Sequence, residues 1–373
     1  MNEKAGEAPC FERIAMVLQG GGALGAYQVG LFEALEEAGY EPHWLAGTSI
    51  GAINAAIIAG SPADERLARL NRFWETVSRP RFPPLIPLAD DRLDAYWGSF
   101  QAAVAGQPGF FRPRLLNPWL APPGSPSALS YYDTGELAET LAALIDFDRL
   151  NSGAQRISLG AVEVASGRQV YFDSARERIR VEHVLASGAL PPGFPPVEID
   201  GKTYWDGGIV SNTPLNTVLD DHPRVSTLAF VVDVFDPQGA APRTMDEALA
   251  RRKDITYASR SECNIRAYQA MHDLRRVVNE LWSRLPADAQ ADPEARELCD
   301  YGCTTTMNIV HFVYRVGEDE TSTKDYNFSP AAIARHRAAG HRDGARAIAA
   351  KPWSAPVPPH RGVMVHEIAG AAV

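Results

Sequence analysis

Cysteine is scarce in this chain, with Cys10, Cys263, Cys299 and Cys303 the only four in 373 residues. Cys299 and Cys303 sit one helical turn apart, but no ligand-like His or Cys pair accompanies them, so no metal site is expected. Long apolar runs are missing as well. Nothing approaches the ~18 consecutive apolar residues of a membrane-spanning helix. Positive charge is in deficit, with 36 Lys and Arg against 46 Asp and Glu and a net charge of −10. That balance argues against nucleic acid as a main partner and against strong electrostatic docking on anionic membranes. The start is polar and carries Glu3 and Glu7, which does not read as a secretory signal. A cytoplasmic protein is expected, with peripheral membrane contact left open.

The residues that are present suffice for a large core. With 45% hydrophobic and 22% charged residues, the chain reads as an ordinary globular protein of one large and one smaller domain. The tail to about Glu12 is expected to be disordered.

The stretch from Ile14 to Gly25 organises the rest. A β-prone run, Ile14-Ala-Met-Val-Leu18, ends in Gln19-Gly20-Gly21-Gly22, and a helix-compatible segment continues to about Ala38. That order reads strand, tight turn, helix. Such a turn offers bare N–H groups and the positive end of a helix dipole to an anion. Gly20, Gly22 and Gly25 also fit G-x-G-x-x-G, a weak dinucleotide-binding signal. The dinucleotide reading needs an acidic residue at the end of the next strand. Glu36, Glu37 and Glu41 all precede that strand, which counts against it.

Directly after Trp44-Leu45-Ala46 comes Gly47-Thr48-Ser49-Ile50-Gly51, the G-x-S-x-G form of a nucleophile elbow. Alone it is a common Gly/Ser turn. Two elements after a glycine-rich anion turn, it points to Ser49 as a nucleophile facing an oxyanion hole. Further on, Asp206-Gly207-Gly208 places a carboxylate on a tight turn.

Between these motifs the chain changes character. Residues 63–77 read as an amphipathic helix. Ten of the 28 prolines lie between Pro80 and Pro126, among Phe82, Tyr96, Trp97, Phe100, Phe110, Phe111 and Trp119. Residues 80–132 therefore read either as an insertion packed on the core or as a cap walling an apolar acyl pocket. Residues 133–150 read as a helix opened by a capping pattern, Asp133-Thr-Gly-Glu136. Hairpins are expected around Ser166-Gly167 and over 197–205, and a buried parallel strand over 228–234.

In order, G-G-G-x-x-G, G-x-S-x-G and D-G-G resemble the patatin-like phospholipase family of lipid acyl hydrolases. The stretches Ala186–Val197 and Asp206–Pro214 are similar to that family too, and the likeness covers about residues 13–235. The resemblance implies a three-layer α/β/α sandwich with a mostly parallel central sheet. It also implies Ser49 as nucleophile, Asp206 as the group taking its proton, and the backbone of Gly20, Gly21 and Gly22 as the oxyanion hole. Gly25, Gly47, Gly51, Gly207 and Gly208 support the turns. No cofactor or metal is implied. One departure is Leu24, where the family often carries Arg or Lys.

A Ser–Asp pair is chemically sound, because a serine hydroxyl needs an adjacent base and a dry carboxylate is basic enough to serve. His183 and His43 are the histidines that would offer a triad. They read better as a core or surface residue and a loop residue. Beyond residue 235 a mainly helical C-terminal region is expected: helix-prone 246–285, an acidic stretch 288–300, a strand over 308–316, a helix over 330–350 capped by Ser329, and a loose end. It reads as a brace on the core or as an interface for a homo-oligomer. The function expected from these residues is that of a serine hydrolase of lipid or other acyl esters. Alternatives are an acyltransferase or thioesterase, a hydrolase of short polyester oligomers, and a non-enzymatic acyl-binding protein.

Overall fold

The computed structural model describes residues 11–79, 91–258, 261–317 and 321–369. Most of the expected N-terminal tail and the first eleven residues of the expected cap, 80–90, lie outside them. The strands are β1 (Arg13–Leu18), β2 (Trp44–Thr48), β3 (Arg112–Pro113), β4 (Tyr132–Asp133), β5 (Arg156–Glu163), β6 (Arg168–Asp173), β7 (Val197–Ile199), β8 (Lys202–Asp206), β9 (Thr227–Asp233), β10 (Met307–Val313) and β11 (Val363–Ala369). Nine of them form one sheet in the order β11-β10-β9-β1-β2-β5-β8-β7, with β6 also on β5. From β11 to β5 every pairing is parallel. The edge beyond β5 is antiparallel and contains both expected hairpins.

Central strands buried on both faces need apolar residues throughout, and β9 (Thr-Leu-Ala-Phe-Val-Val-Asp) is buried at every position. Alternate residues of β1 feed two separate cores. Met16 and Leu18 join helices Ala26–Glu37, Ile50–Ala59, Arg66–Val77 and Pro330–Ala350 on one face. Ala15 and Val17 join helices Leu215–Leu219 and Ser261–Ser283 on the other. Helices on both sides of a mostly parallel sheet make the expected α/β sandwich.

The C-terminal region is mainly helical, and it also completes the sheet. β10 pairs with β9 in register, Met307 opposite Thr227. The chain end expected to be loose instead forms β11, because Val363-Met-Val-His-Glu-Ile meets a parallel edge offered by β10. The helix Pro330–Ala350 starts at the expected cap, with Ser329 accepting from Ala332 N–H. It lies along the first helix, where Tyr27 stacks on Tyr314 at 4.4 Å and donates to Asp343 at 2.8 Å. The capping pattern at 133–136 fails as a box. Asp133 accepts from Gly135 N–H in a local turn, while Glu136 accepts from Gly109 N–H instead. The helix is Gly135–Leu144, and a separate short turn, Phe147–Leu150, comes after it.

Candidate active site

Parallel register brings the motifs to one end of the sheet. Leu18 pairs with Gly47 across β1 and β2, so the glycine turn and the serine elbow leave the sheet side by side. Thr48 pairs with Gly160 and Ala161 with Asp206, which sets Asp206 next to the elbow although 157 residues separate it from Ser49.

Ser49 has φ 56° and ψ −125°, a strained conformation for a residue with a side chain. Its flanking glycines are sterically required: a Cβ on Gly47 would lie 2.3 Å from Gly51 O, and one on Gly51 2.3 Å from Leu18 O. Ser49 N–H donates to both O and Oγ of Ser187 at 3.0 Å, and Ser187 Oγ donates to Gly160 O at 2.6 Å. The elbow is thus fixed from behind, and its own N–H faces away from any substrate.

Asp206 is only 2% exposed. Its Oδ1 accepts from Gly208 N–H at 2.7 Å, and the Ser49 side chain hydrogen-bonds the same carboxylate. Burial pushes the Asp206 pKa up to about 7, against the opposite pull of those two bonds. A carboxylate titrating near neutrality is suited to accept and return a proton.

The glycine turn divides its roles. Gly20 N–H donates to Asn212 O at 3.1 Å. This corrects the expectation that all three glycines face an oxyanion: Gly20 is committed to holding the turn. Among the described residues neither Gly21 N–H nor Gly22 N–H donates to a protein acceptor. Behind the turn, Gln19 Oε1 accepts from Val234 and Phe235 N–H at 2.6 and 3.0 Å, and its Nε2 donates to Thr213 Oγ1 at 2.9 Å. Thr213 passes the chain to Asp233 at 2.6 Å, and Asp233 pairs with His311 at 2.9 Å. Burial alone would lower the His311 pKa, but the hydrogen bond and charge of Asp233 prevail and raise it.

A cavity of about 90 Å³ opens in front of these groups. Ile50 and Ile53 line it from the elbow helix, Phe110 and Phe111 from the Pro-rich segment, and Leu190 and Phe194 from the loop after Ser187. Tyr257, Asp325, Tyr326 and Phe328 come from beyond residue 235. Among the described residues no Lys, Arg or His lines it. Leu24 is fully buried in the core.

Neither candidate histidine reaches the site. His183 accepts from Arg180 N–H at 2.8 Å and packs on Phe172, and burial together with the Arg180 charge lowers its pKa. His43 accepts from Ile14 N–H at 2.9 Å. Sequence reasoning missed Gln19, Thr213 and the whole C-terminal wall. Asn212 lies inside the family-like stretch Asp206–Pro214, but its role as a clamp depends on contacts that local sequence does not carry.

The sequence pattern of the patatin-like phospholipases matches residues 16–219, and a second pattern, described as patatin phospholipase, matches residues 255–360. Human patatin-like phospholipase domain-containing protein 6 is 35% identical over 203 residues, 54% of this chain but 12% of that protein. Lysophospholipase nte1 of Aspergillus terreus is 52% identical over 50 residues, 13% of this chain and 3% of that one. These relatives are far longer than the region they share with this chain. Among solved structures, VipD from Legionella pneumophila aligns over 94% of this chain and 71% of its own, at 16% identity and a TM-score of 0.41.

Proposed function

This chain belongs to the patatin-like phospholipase family, and from that premise we propose that it hydrolyses carboxylic esters of lipids through a Ser49–Asp206 dyad. Asp206 takes the Ser49 proton as Oγ attacks the ester carbonyl. The developing oxyanion is held by Gly21 and Gly22 N–H, donors of a kind worth on the order of 10²–10³ in rate each. Asp206 returns the proton to the leaving alcohol, giving acyl-Ser49. Water then attacks the acyl-enzyme with Asp206 again as base, and free acid leaves.

The observation that carries this reading is the Asp206 carboxylate: buried, hydrogen-bonded to Ser49, raised to about 7, and with no histidine among the described residues lining the cavity. A serine needs an adjacent base, and Asp206 is the titratable group in hydrogen-bond contact with it. The aromatic lining supports an acyl chain as the bound group. Among the described residues no helix is long and apolar enough to cross a membrane.

The test is hydrolysis of p-nitrophenyl esters from acetate to palmitate by wild type, Ser49→Ala and Asp206→Asn. Turnover by wild type that both substitutions abolish is expected, with a chain-length optimum that sizes the cavity. Activity surviving in Asp206→Asn would sink the dyad. Added alcohol acceptors that divert product from free acid to a new ester would make transfer the main reaction.

A further inference from the structure

From Trp97 to Tyr132 the chain carries no Asp or Glu, although it has 46 of them overall. The two basic residues of that stretch, Arg112 and Arg114, both face Asp133, at 3.8 and 3.2 Å. No acidic charge and no unpaired basic one is left in that stretch. In its place stand exposed apolar side chains. Trp119 is 81% exposed and Leu115 fully so, with Leu116, Leu120 and Leu129 beside them in sequence. Trp97 and Phe100, stacked at 5.9 Å, extend the exposed set along the helix Asp91–Ala105. Trp119 Nε1 donates to Tyr131 Oη at 3.0 Å, so each ring turns its polar atom to the other.

The segment that carries these side chains also reaches the cavity. Phe110 and Phe111 of the same segment line it. Tyr131 and Tyr132 N–H donate to Pro192 O and Gly193 O, in the loop whose Leu190 and Phe194 line it too. Tyr132 Oη donates to Ala103 O, tying the segment back to its helix.

We propose that residues 97–131 form a docking face for an electrically neutral lipid surface, which delivers acyl chains to the cavity. Apolar contact supplies the affinity. Trp and Tyr settle at the headgroup boundary, where one end of each ring is wet and the other dry. The net charge of −10 makes an anionic surface the poorer partner. The proposal deepens the hydrolase reading and rests on it, but binding can be measured apart from turnover.

The experiment is flotation of the full-length Ser49→Ala protein with phosphatidylcholine vesicles, in low and high salt, beside Ser49→Ala carrying Trp119→Ser and Leu120→Ser. Flotation of the first, little changed by salt, and a loss of at least about tenfold in the second are expected from the apolar surface removed. Tryptophan emission should shift to the blue only when the face is intact. With Ser49 in place, Trp119→Ser plus Leu120→Ser should leave turnover of soluble p-nitrophenyl acetate unchanged, since neither residue lines the cavity. Equal flotation of both proteins overturns the proposal, as does no flotation of either. A concentration-dependent dimer abolished by the same substitutions, without vesicle binding, assigns the face to a second copy instead. Vesicle binding without soluble-ester turnover would remove the hydrolase reading and leave the docking face standing.

Discussion

Gly20 and Asn212 grip each other through two hydrogen bonds, Gly20 N–H to Asn212 O at 3.1 Å and Asn212 Nδ2 to Gly20 O at 2.9 Å. The same Nδ2 donates to Tyr257 O at 3.0 Å. One buried amide therefore fixes the glycine turn to the stretch after Asp206 and to the C-terminal region. Asn212→Ala takes a donor away from two carbonyls, a cost of about 1–3 kcal/mol. It also frees the turn that carries Gly21 and Gly22, the proposed oxyanion donors. The expected result is a kcat lower by about 10–100-fold with KM little changed, since the loss falls on transition-state stabilisation. A rise in KM at constant kcat would mean that the turn binds substrate without stabilising the oxyanion.

The pH profile should report Asp206. In the proposed dyad only its ionised form takes the Ser49 proton, and its pKa is raised to about 7 by burial. Turnover should therefore climb about tenfold per pH unit below about 7 and flatten above it, with a single ionisation on the acid side. A solvated carboxylate in that role would give a limb near pH ~4 instead. Measuring kcat/KM on a neutral, soluble ester from about pH 5 to about pH 9 distinguishes the two.

Folding stability should depend on the same proton with the opposite preference. The folded-state pKa of Asp206 lies above the ordinary 3.8, so the folded protein holds this proton more tightly than the unfolded chain. Stability falls as pH rises from about 4 to about 7 and stays reduced above that. Asp206→Asn removes the charge, and near pH ~8 it should stabilise the protein by up to about 4 kcal/mol. The gain should vanish near pH ~4. A destabilised Asp206→Asn under the same alkaline conditions would mean that the bonds from Gly208 and Ser49 outweigh the burial.

How much of this was legible in the sequence differs from part to part. The strand–glycine-turn–helix and strand–Ser49–helix units were, because turns that need glycine for steric reasons leave a fixed spacing, and apolar runs mark buried parallel strands. Asp206 was legible only through its order after the other motifs, since register across β5 rather than local sequence brings it to Ser49. The division of labour between Gly20 and its two successors was hidden, because it depends on which N–H meets Asn212. Lys324-Asp325-Tyr326 gave no signal at all. It is a short polar turn whose meaning comes from packing against Gly22. Likewise Val363–Ala369, coming after a Pro-rich stretch, looked loose until β10 offered an edge.

The turn at Lys324–Tyr326 is tied down by two crossed ion pairs with the helix Met245–Tyr257: Lys253 to Asp325 at 2.5 Å and Lys324 to Asp254 at 2.6 Å. Lys253 also sits 4.5 Å from the Tyr326 ring centre. Gly22, at φ +54°, makes room for the Asp325 carbonyl, which would lie 2.2 Å from a Cβ there. Burial pushes the Asp325 carboxyl up, against the pull of Lys253, so the lysine favours the charged form of a carboxylate that is largely buried. Lys253→Met alone strands a largely buried carboxylate and should cost about 3 kcal/mol, as breaking such pairs does. Lys253→Met with Asp325→Asn removes both charges and should recover most of that loss. Denaturant midpoints of the two single variants and the double variant give the coupling directly. Additive losses would show that the pair contributes nothing to seating the C-terminal wall against the glycine turn. With strong coupling, Lys253→Met should also lower turnover of p-nitrophenyl esters, and the double variant should restore it, because the wall and the turn move as one piece.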